Sequence, residues 1–228
     1  MPRYLVTQSL LSSLDYVFNC WEGGEEDAMA SFLQTLNREK SEPNKAMLDG
    51  IAFETLCYDI AAGRFTPDFE DAGGVNKSSY GDSEAMGRNK YPKNYNGAHK
   101  IASLIRGAQV QVRAQREIEV AGMTFLVYGV LDALKAGTIS DVKYKTKSFG
   151  SLDLAGSYLD SPQHPAYFYL VPEAHEFQYL VSDGEDLYIE RYTPQESRHI
   201  STFIEEFIDS VRSLGLLDLY KEKWEAAA

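Results

Sequence analysis

The sequence predicts one α/β domain, a mixed β-sheet that begins as an antiparallel meander and is flanked by helices. Three observations predict it. Three runs of β character follow one another between residues 110 and 146 with short, turn-like connections. Helical periodicity dominates the chain before them. After them come a strand pair around Asp183-Gly184-Glu185 and a long amphipathic helical run. The chain has 228 residues, 44% hydrophobic and 12% aromatic, enough for one ordinary core. With no repeat, low-complexity tract or dividing linker, residues 1–228 read as a single domain.

The elements follow in order. Residues 7–20 place Leu10, Leu11, Leu14, Val17 and Phe18 at helical spacing behind a Thr/Ser start suited to capping. A turn at Gly23-Gly24 leads into a helix from Glu25 to Arg38, broken at Ser41-Glu42-Pro43. Asn44 to Ala62 reads as a helix with Met47, Ile51, Leu56 and Ile60 on its apolar side, completing a helical N-terminal region over about 7–62. Gly50 costs such a helix about 1 kcal/mol against Ala and so marks a close backbone approach.

Residues 63–97 are rich in Gly, Asn, Ser and Asp and read as a mobile or substrate-contacting segment, with a short helix near Ser83 to Asn89. Helical pattern resumes from Ala98 to Gly107. Strands are expected over 110–120, over Met123 to Leu134 and over Thr138 to Thr146, punctuated by Gly122 and by Ala136-Gly137. A cap at Asp160-Ser161 with Pro162 at the first helical position starts a helix that stops at Pro172. Strands at 177–182 and 186–192 follow, then a helix over Pro194 to Leu214 and a short one after Gly215.

The net charge of −12 argues against a surface that binds nucleic acid everywhere. The charge is uneven, however. Residues 77–116 carry eight Lys or Arg and two acids, a local surface for an anionic substrate, and Tyr80, Tyr91 and Tyr95 are placed to stack on unpaired bases. Two cysteines, Cys20 and Cys57, supply neither a disulfide framework nor four-thiolate metal ligation. The N-terminus lacks a signal-peptide pattern and no apolar run approaches the length of a membrane span, so no membrane partner and a cytoplasmic location are expected.

The chemistry concentrates between Tyr128 and Lys147. Hydrolysis of a phosphodiester needs a nucleophilic water, shielded phosphoryl oxygens and support for a departing alkoxide, all of which Mg²⁺ or Mn²⁺ held by oxygen ligands can supply. A turn at 135–138 would bring Asp132 and Asp141 together on neighbouring strands. Strand alternation puts Lys143 and Lys145 on the Asp141 side, and Val142 and Tyr144 on the other. Lys143 is then placed to hold or deprotonate the attacking water, with a nearby dication and partial desolvation lowering its pKa. Lys145 reads as a solvated or phosphate-contacting residue rather than a second catalytic lysine, and the lone His164 as a structural or exposed residue.

Gly129-Val130-Leu131-Asp132, then Asp141-Val142-Lys143, then Gln163-x-x-x-Tyr167 resembles the PD-(D/E)XK nuclease superfamily. The subgroup resembled is that of RecB-like nucleases and phage recombination exonucleases, which carry a Gln-x-x-x-Tyr motif. The resemblance covers roughly residues 5–192 and extends to Ser9–Cys20 and to Gly50-Ile51-Ala52-Phe53-Glu54. It implies a restriction-endonuclease-like core and a Mg²⁺- or Mn²⁺-dependent deoxyribonuclease. Glu54, Asp132, Asp141 and the Val142 carbonyl would be metal ligands, Lys143 the catalytic lysine, and Gln163 and Tyr167 substrate- or site-facing residues.

The resemblance also implies linear DNA ends, single- or double-stranded, as substrate, and it brings homo-oligomers and a recombination partner protein into view. An exonuclease of phage, prophage or bacterial recombination-repair type is the reading. A structure-selective endonuclease and a silent DNA-binding module of the same fold stand as alternatives. The chain departs from the pattern in three places. Glu54 stands where His is frequent, Leu131 replaces the Pro before the first acid, and only Cys20 remains of the cluster cysteines, so no iron–sulfur cluster is expected.

Overall fold

A computed structural model describes residues 2–65, 94–151 and 154–226. Among them the mixed sheet flanked by helices is what the chain forms. The expected helix at 83–89, Tyr80, Tyr91, and the basic residues Lys77, Arg88, Lys90 and Lys93 lie outside the described residues.

A strand β1 (Arg3–Thr7) comes first, and it was not expected from the sequence. Thr7 ends it and caps the next element, its hydroxyl accepting from the Leu10 amide at 3.2 Å. Helix α1 (Gln8–Asn19) buries Leu10, Leu11 and Leu14, while Phe18 is exposed. Helix α2 (Glu25–Leu36) opens with three acids against its positive N-terminal dipole and buries Phe32 and Leu36.

Helix α3 (Lys45–Ala61) is capped by Asn44. Its buried side is Phe53, Cys57 and Ile60, and two expected stripe positions are corrected, since Met47 and Ile51 are 51% and 56% exposed. The first turns of α3 therefore project past the core, and space is open around Gly50, with nothing within 4 Å of an added Cβ. The expected close approach at Gly50 is not found.

Helix α4 (Tyr95–Ile105) precedes a long hairpin, β2 (Gln109–Val120) and β3 (Met123–Lys135), which β4 (Thr138–Tyr144) extends into the expected meander. Both turns are two residues long, Ala121-Gly122 and Ala136-Gly137, with positive φ at each residue. That is the hairpin turn whose twist matches the strands it joins.

After a 3-10 turn at Phe149–Ser151 come α5 (Gln163–Leu170), β5 (Glu176–Ser182), β6 (Leu187–Tyr192), α6 (Ile200–Ser213) and α7 (Leu217–Trp224). Helix α6 starts six residues later than the pattern suggested, where His199 caps it by accepting from the Ser201 amide.

The sheet order is β1-β3-β4-β5-β6, with β2 on the other edge of β3. Strands β1 and β3 run parallel, as do β4 and β5, and the other pairs are antiparallel. The main core packs α1, α5, α6 and α7 on one side of the sheet, and a smaller one joins α3 and α4 to Val142 and Leu180 on the other.

Strand β3 has two partners in succession along one edge. Residues 124–128 pair with β1 and residues 133–135 pair with β4, which leaves a gap between them. Opposite that gap the β2–β3 register is continuous except at Gln111 and Asp132, and Gln111 has a φ of 54°. The pleat changes parity there, so that Leu131 faces the main core and Ala133 the smaller one. The sheet is thus opened and kinked at one place, and Asp132 occupies it.

Candidate active site

Side chains bridge the gap that the strands leave. The Asp132 carboxylate accepts from the Val142 amide of β4 at 3.0 Å, and the Tyr167 hydroxyl of α5 donates to the Val130 carbonyl at 2.8 Å. Close approach of α5 depends on Gly129, because a Cβ there would lie 2.6 Å from the Tyr167 ring and 3.0 Å from Leu170. The Gly-x-x-Asp spacing thus has a local cause. Glycine admits the helix, and the acid three residues on stands at the opening.

Asp141 is 2% exposed and lies on β4 beside this gap. Its Oδ1 accepts from the Gln163 side-chain Nε2, and Lys143 Nζ is 2.7 Å from Oδ2. Oδ2 is buried, and this ammonium is its partner. From the opposite face of the sheet α3 presents Glu54, which accepts from the Tyr58 hydroxyl and, at 2.9 Å, from Gln111 Nε2.

The electrostatics follow from this crowding. Burial, then the charge of Asp141, then that of Glu54 push the Asp132 carboxyl up to about 8. Burial would pull Lys143 down, but the charge and hydrogen bond of Asp141, with the charge of Asp132, together outweigh it and hold the ammonium above its usual value. The lowering expected from the sequence is not what the protein's own groups produce.

Asp132, Asp141, Lys143 and Gln163 are therefore brought together, and Glu54 stands within their field. Among the described residues no three acidic, His or Cys side chains come close enough to share one ion, so Glu54, Asp132 and Asp141 do not form a ready triad. Donor chemistry still suits a hard cation, with two mutually repelling carboxylates, Asp141 buried and Asp132 half-buried, on neighbouring strands.

Val142 contributes its amide to Asp132 and its side chain to the smaller core. Gln163 is 5% exposed and grips Asp141, and Tyr167 is 4% exposed with its hydroxyl committed to β3. Both act on the scaffold of the site rather than on its outer surface. Lys145 follows on the Asp141 side, with Nζ 5.7 Å from the centre of the Tyr158 ring.

Four basic residues of the predicted anionic-substrate stretch are described: Lys100 and Arg106 on or next to α4, and Arg113 and Arg116 on β2. Lys100 pairs with Asp186, and Arg116 donates to the Tyr169 carbonyl. Tyr95 packs against Phe65 and His99.

Tyr58, Gln111 and Tyr158 were missed from the sequence. Tyr58 was findable, since it stands four residues after Glu54 on one helix. Nothing local marks the other two.

No protein-family model matches the chain, and no curated protein matches it. Solved structures do. A crystal structure of SSO0001 matches with a TM-score of 0.50 at 14% identity, covering 92% of this chain and 77% of that one. An alkaline exonuclease (LHK-Exo) from Laribacter hongkongensis matches with a TM-score of 0.43 at 14% identity, over 92% of this chain and 91% of that one. LHK-Exo in complex with dAMP matches at 0.45 and 14%, over 95% and 89%. At such identity the likeness is one of fold. No described helix is long and apolar enough to cross a membrane.

Proposed function

We propose that this chain is a deoxyribonuclease of the PD-(D/E)XK type that uses Mg²⁺ or Mn²⁺ to hydrolyse DNA, acting as an exonuclease on linear ends. The observation that carries the reading is the convergence of Asp132, Asp141 and Lys143 at the gap that β1 and β4 leave along β3, with Asp132 pushed up to about 8. A buried carboxylate pair of this kind is relieved by a proton or by a cation. The exonuclease form, and a place in recombination or repair, rest on the sequence resemblance.

Asp132 and Asp141 would hold the ion, with the Val142 carbonyl as a further oxygen ligand; Glu54 would have to move closer to join them, since the three acids as folded are not within reach of one ion. Tyr58 and Gln111 orient Glu54, and Gln163 orients Asp141, as hydrogen-bonded supports do around metal ligands. What such an ion supplies is Lewis acidity: charge shielding at the phosphoryl oxygens, a more acidic water and support for the leaving alkoxide. Lys143, kept as an ammonium by Asp141, positions the attacking water and offsets charge on the phosphoryl oxygens. The water oxygen bonds to phosphorus, the bond to the alkoxide oxygen breaks, and a proton passes to that alkoxide.

Linear and covalently closed circular DNA incubated with Mg²⁺ or Mn²⁺ test the proposal. Loss of linear DNA alone is expected. Nicking of circles would replace exonuclease by endonuclease, and tight binding without cleavage would leave a DNA-binding module. Lys143→Ala should slow cleavage at least 100-fold, in the range of removing a positioned charge-stabilising group, while still folding, with a melting temperature lowered because the buried Asp141 carboxylate loses its partner. Cutting at the wild-type rate by that variant would remove Lys143 from the mechanism.

A further inference from the structure

Strand β2 runs for 12 residues along β3, and its other side forms an edge of the sheet. Among the described residues no backbone group pairs with it there. The Tyr169 hydroxyl donates to the Glu117 carbonyl, which keeps a second lone pair. An edge of this length offers a row of amides and carbonyls to another strand, and proteins commonly blunt it with Lys, Pro or a bulge. β2 contains neither Lys nor Pro. Its bulge at Gln111 leaves residues 112–120 in unbroken register with β3.

The side chains show which strand fits. When two copies of one strand pair antiparallel about a twofold axis, only a register centred on a residue keeps like faces together. Centred on Gln115, Arg113 of each copy faces Glu117 of the other, Val112 faces Ile118, and Gln111 faces Glu119. Centring on Arg113, Arg116 or Glu117 sets like charges on the axis, and centring on Ala114 sets Val112 against Arg116. One register thus satisfies charge and pleat together.

Both charged residues are available for it. Arg113 is exposed and has no acid partner among the described residues of its own chain. Glu117 meets Arg3 at 2.6 Å, and its side chain is still 51% exposed.

We propose that the edge of β2 pairs with the same edge of a second copy of this chain, antiparallel about a twofold axis at Gln115. The two six-stranded sheets then form one continuous sheet. Val112 and Ile118, which pack against the main core of each copy, meet across the join. This interface is independent of the nuclease chemistry, and either stands without the other.

Sedimentation equilibrium of the full chain across the micromolar range should give a mass rising from 25.6 kDa to twice that. Arg113→Glu and Glu117→Arg each set two like-charge pairs across the axis, and each should weaken association about 10- to 100-fold. Mixed in equal amounts, the two variants should associate again, because every Glu then faces an Arg. A variant that merely misfolds would not recover on mixing, and melting temperatures identify it independently. Gln115→Cys, in a Cys20→Ser background with Cys57 buried, should cross-link to itself under mild oxidation. Directly opposed residues of an antiparallel pair lie about 4.5–5.5 Å apart at Cα, within disulfide reach.

A wild type that stays at 25.6 kDa throughout overturns the proposal. So does an assembly of any size that ignores both charge reversals, and so does a mixture of two folded variants that fails to associate.

Discussion

His164 follows Gln163 on α5, yet it takes no part in the carboxylate cluster. Its ring stacks on Tyr192 at 4.2 Å and its Nδ1 is 3.3 Å from the Tyr179 hydroxyl, so the structural role expected of a lone histidine holds, in a buried setting. Burial pulls its pKa from 6.5 down to about 4. Because the folded value lies below the unfolded one, its stabilising contribution is complete above pH 6.5 and is lost as pH falls towards 4. At 1.36 kcal/mol per pH unit that interval is worth about 3 kcal/mol. Denaturant titrations at several pH values should show wild type losing stability through this window and His164→Gln losing markedly less. Equal slopes would show that the imidazole is not what titrates.

At the same scale, the acids, Lys143 and Gln163 were legible because each belongs to a spacing with a chemical reason. Gln111 and Tyr158 were not, because a positive φ opposite Asp132 and a stack on Tyr179 exist only after distant segments have paired.

Among the elements, local pattern predicted best where one face is buried over several turns. Helix α6 buries Ile200, Ile204, Phe207, Ile208 and Val211, which its periodicity announced. Strand β1 has only five residues, too few to distinguish from a loop, although Tyr4 and Val6 alternate into the core. The stripe on α3 was misplaced because the first turns of that helix outrun the core. The two glycines tested against this geometry behave in opposite ways. Gly129→Ala puts a methyl 2.6 Å from the Tyr167 ring, where α5 meets β3. Overpacking of that kind costs about 1–3 kcal/mol. Gly50→Ala meets nothing within 4 Å in mid-helix and should gain up to about 1 kcal/mol. Chemical denaturation of the two variants checks both signs, and a neutral Gly129→Ala would mean that α5 does not depend on that contact.

For the whole molecule, the opening between β3 and β4 is where the two cores meet. Asp132 and Asp141 there come from adjacent strands, while Glu54 and Gln163 reach in from helices on opposite faces. An ion bound by Asp132 and Asp141 would tie their two strands together, and would offset the burial and repulsion that push the Asp132 carboxyl up to about 8. Binding to the folded state alone stabilises it by mass action, about 2.7 kcal/mol at 100 times the dissociation constant. For a chain of this size that corresponds to a rise in melting temperature of about 5–10 °C. Mn²⁺ should therefore raise the melting temperature of the wild type in a saturable way. Asp132→Asn and Asp141→Asn should shift little, and Lys143→Ala should still shift, since Lys143 supplies no ligand. This separates ion binding from catalysis without reference to cleavage. Equal shifts in wild type and in both Asn variants would place any bound ion elsewhere on this acidic protein and leave the carboxylate pair without its proposed role.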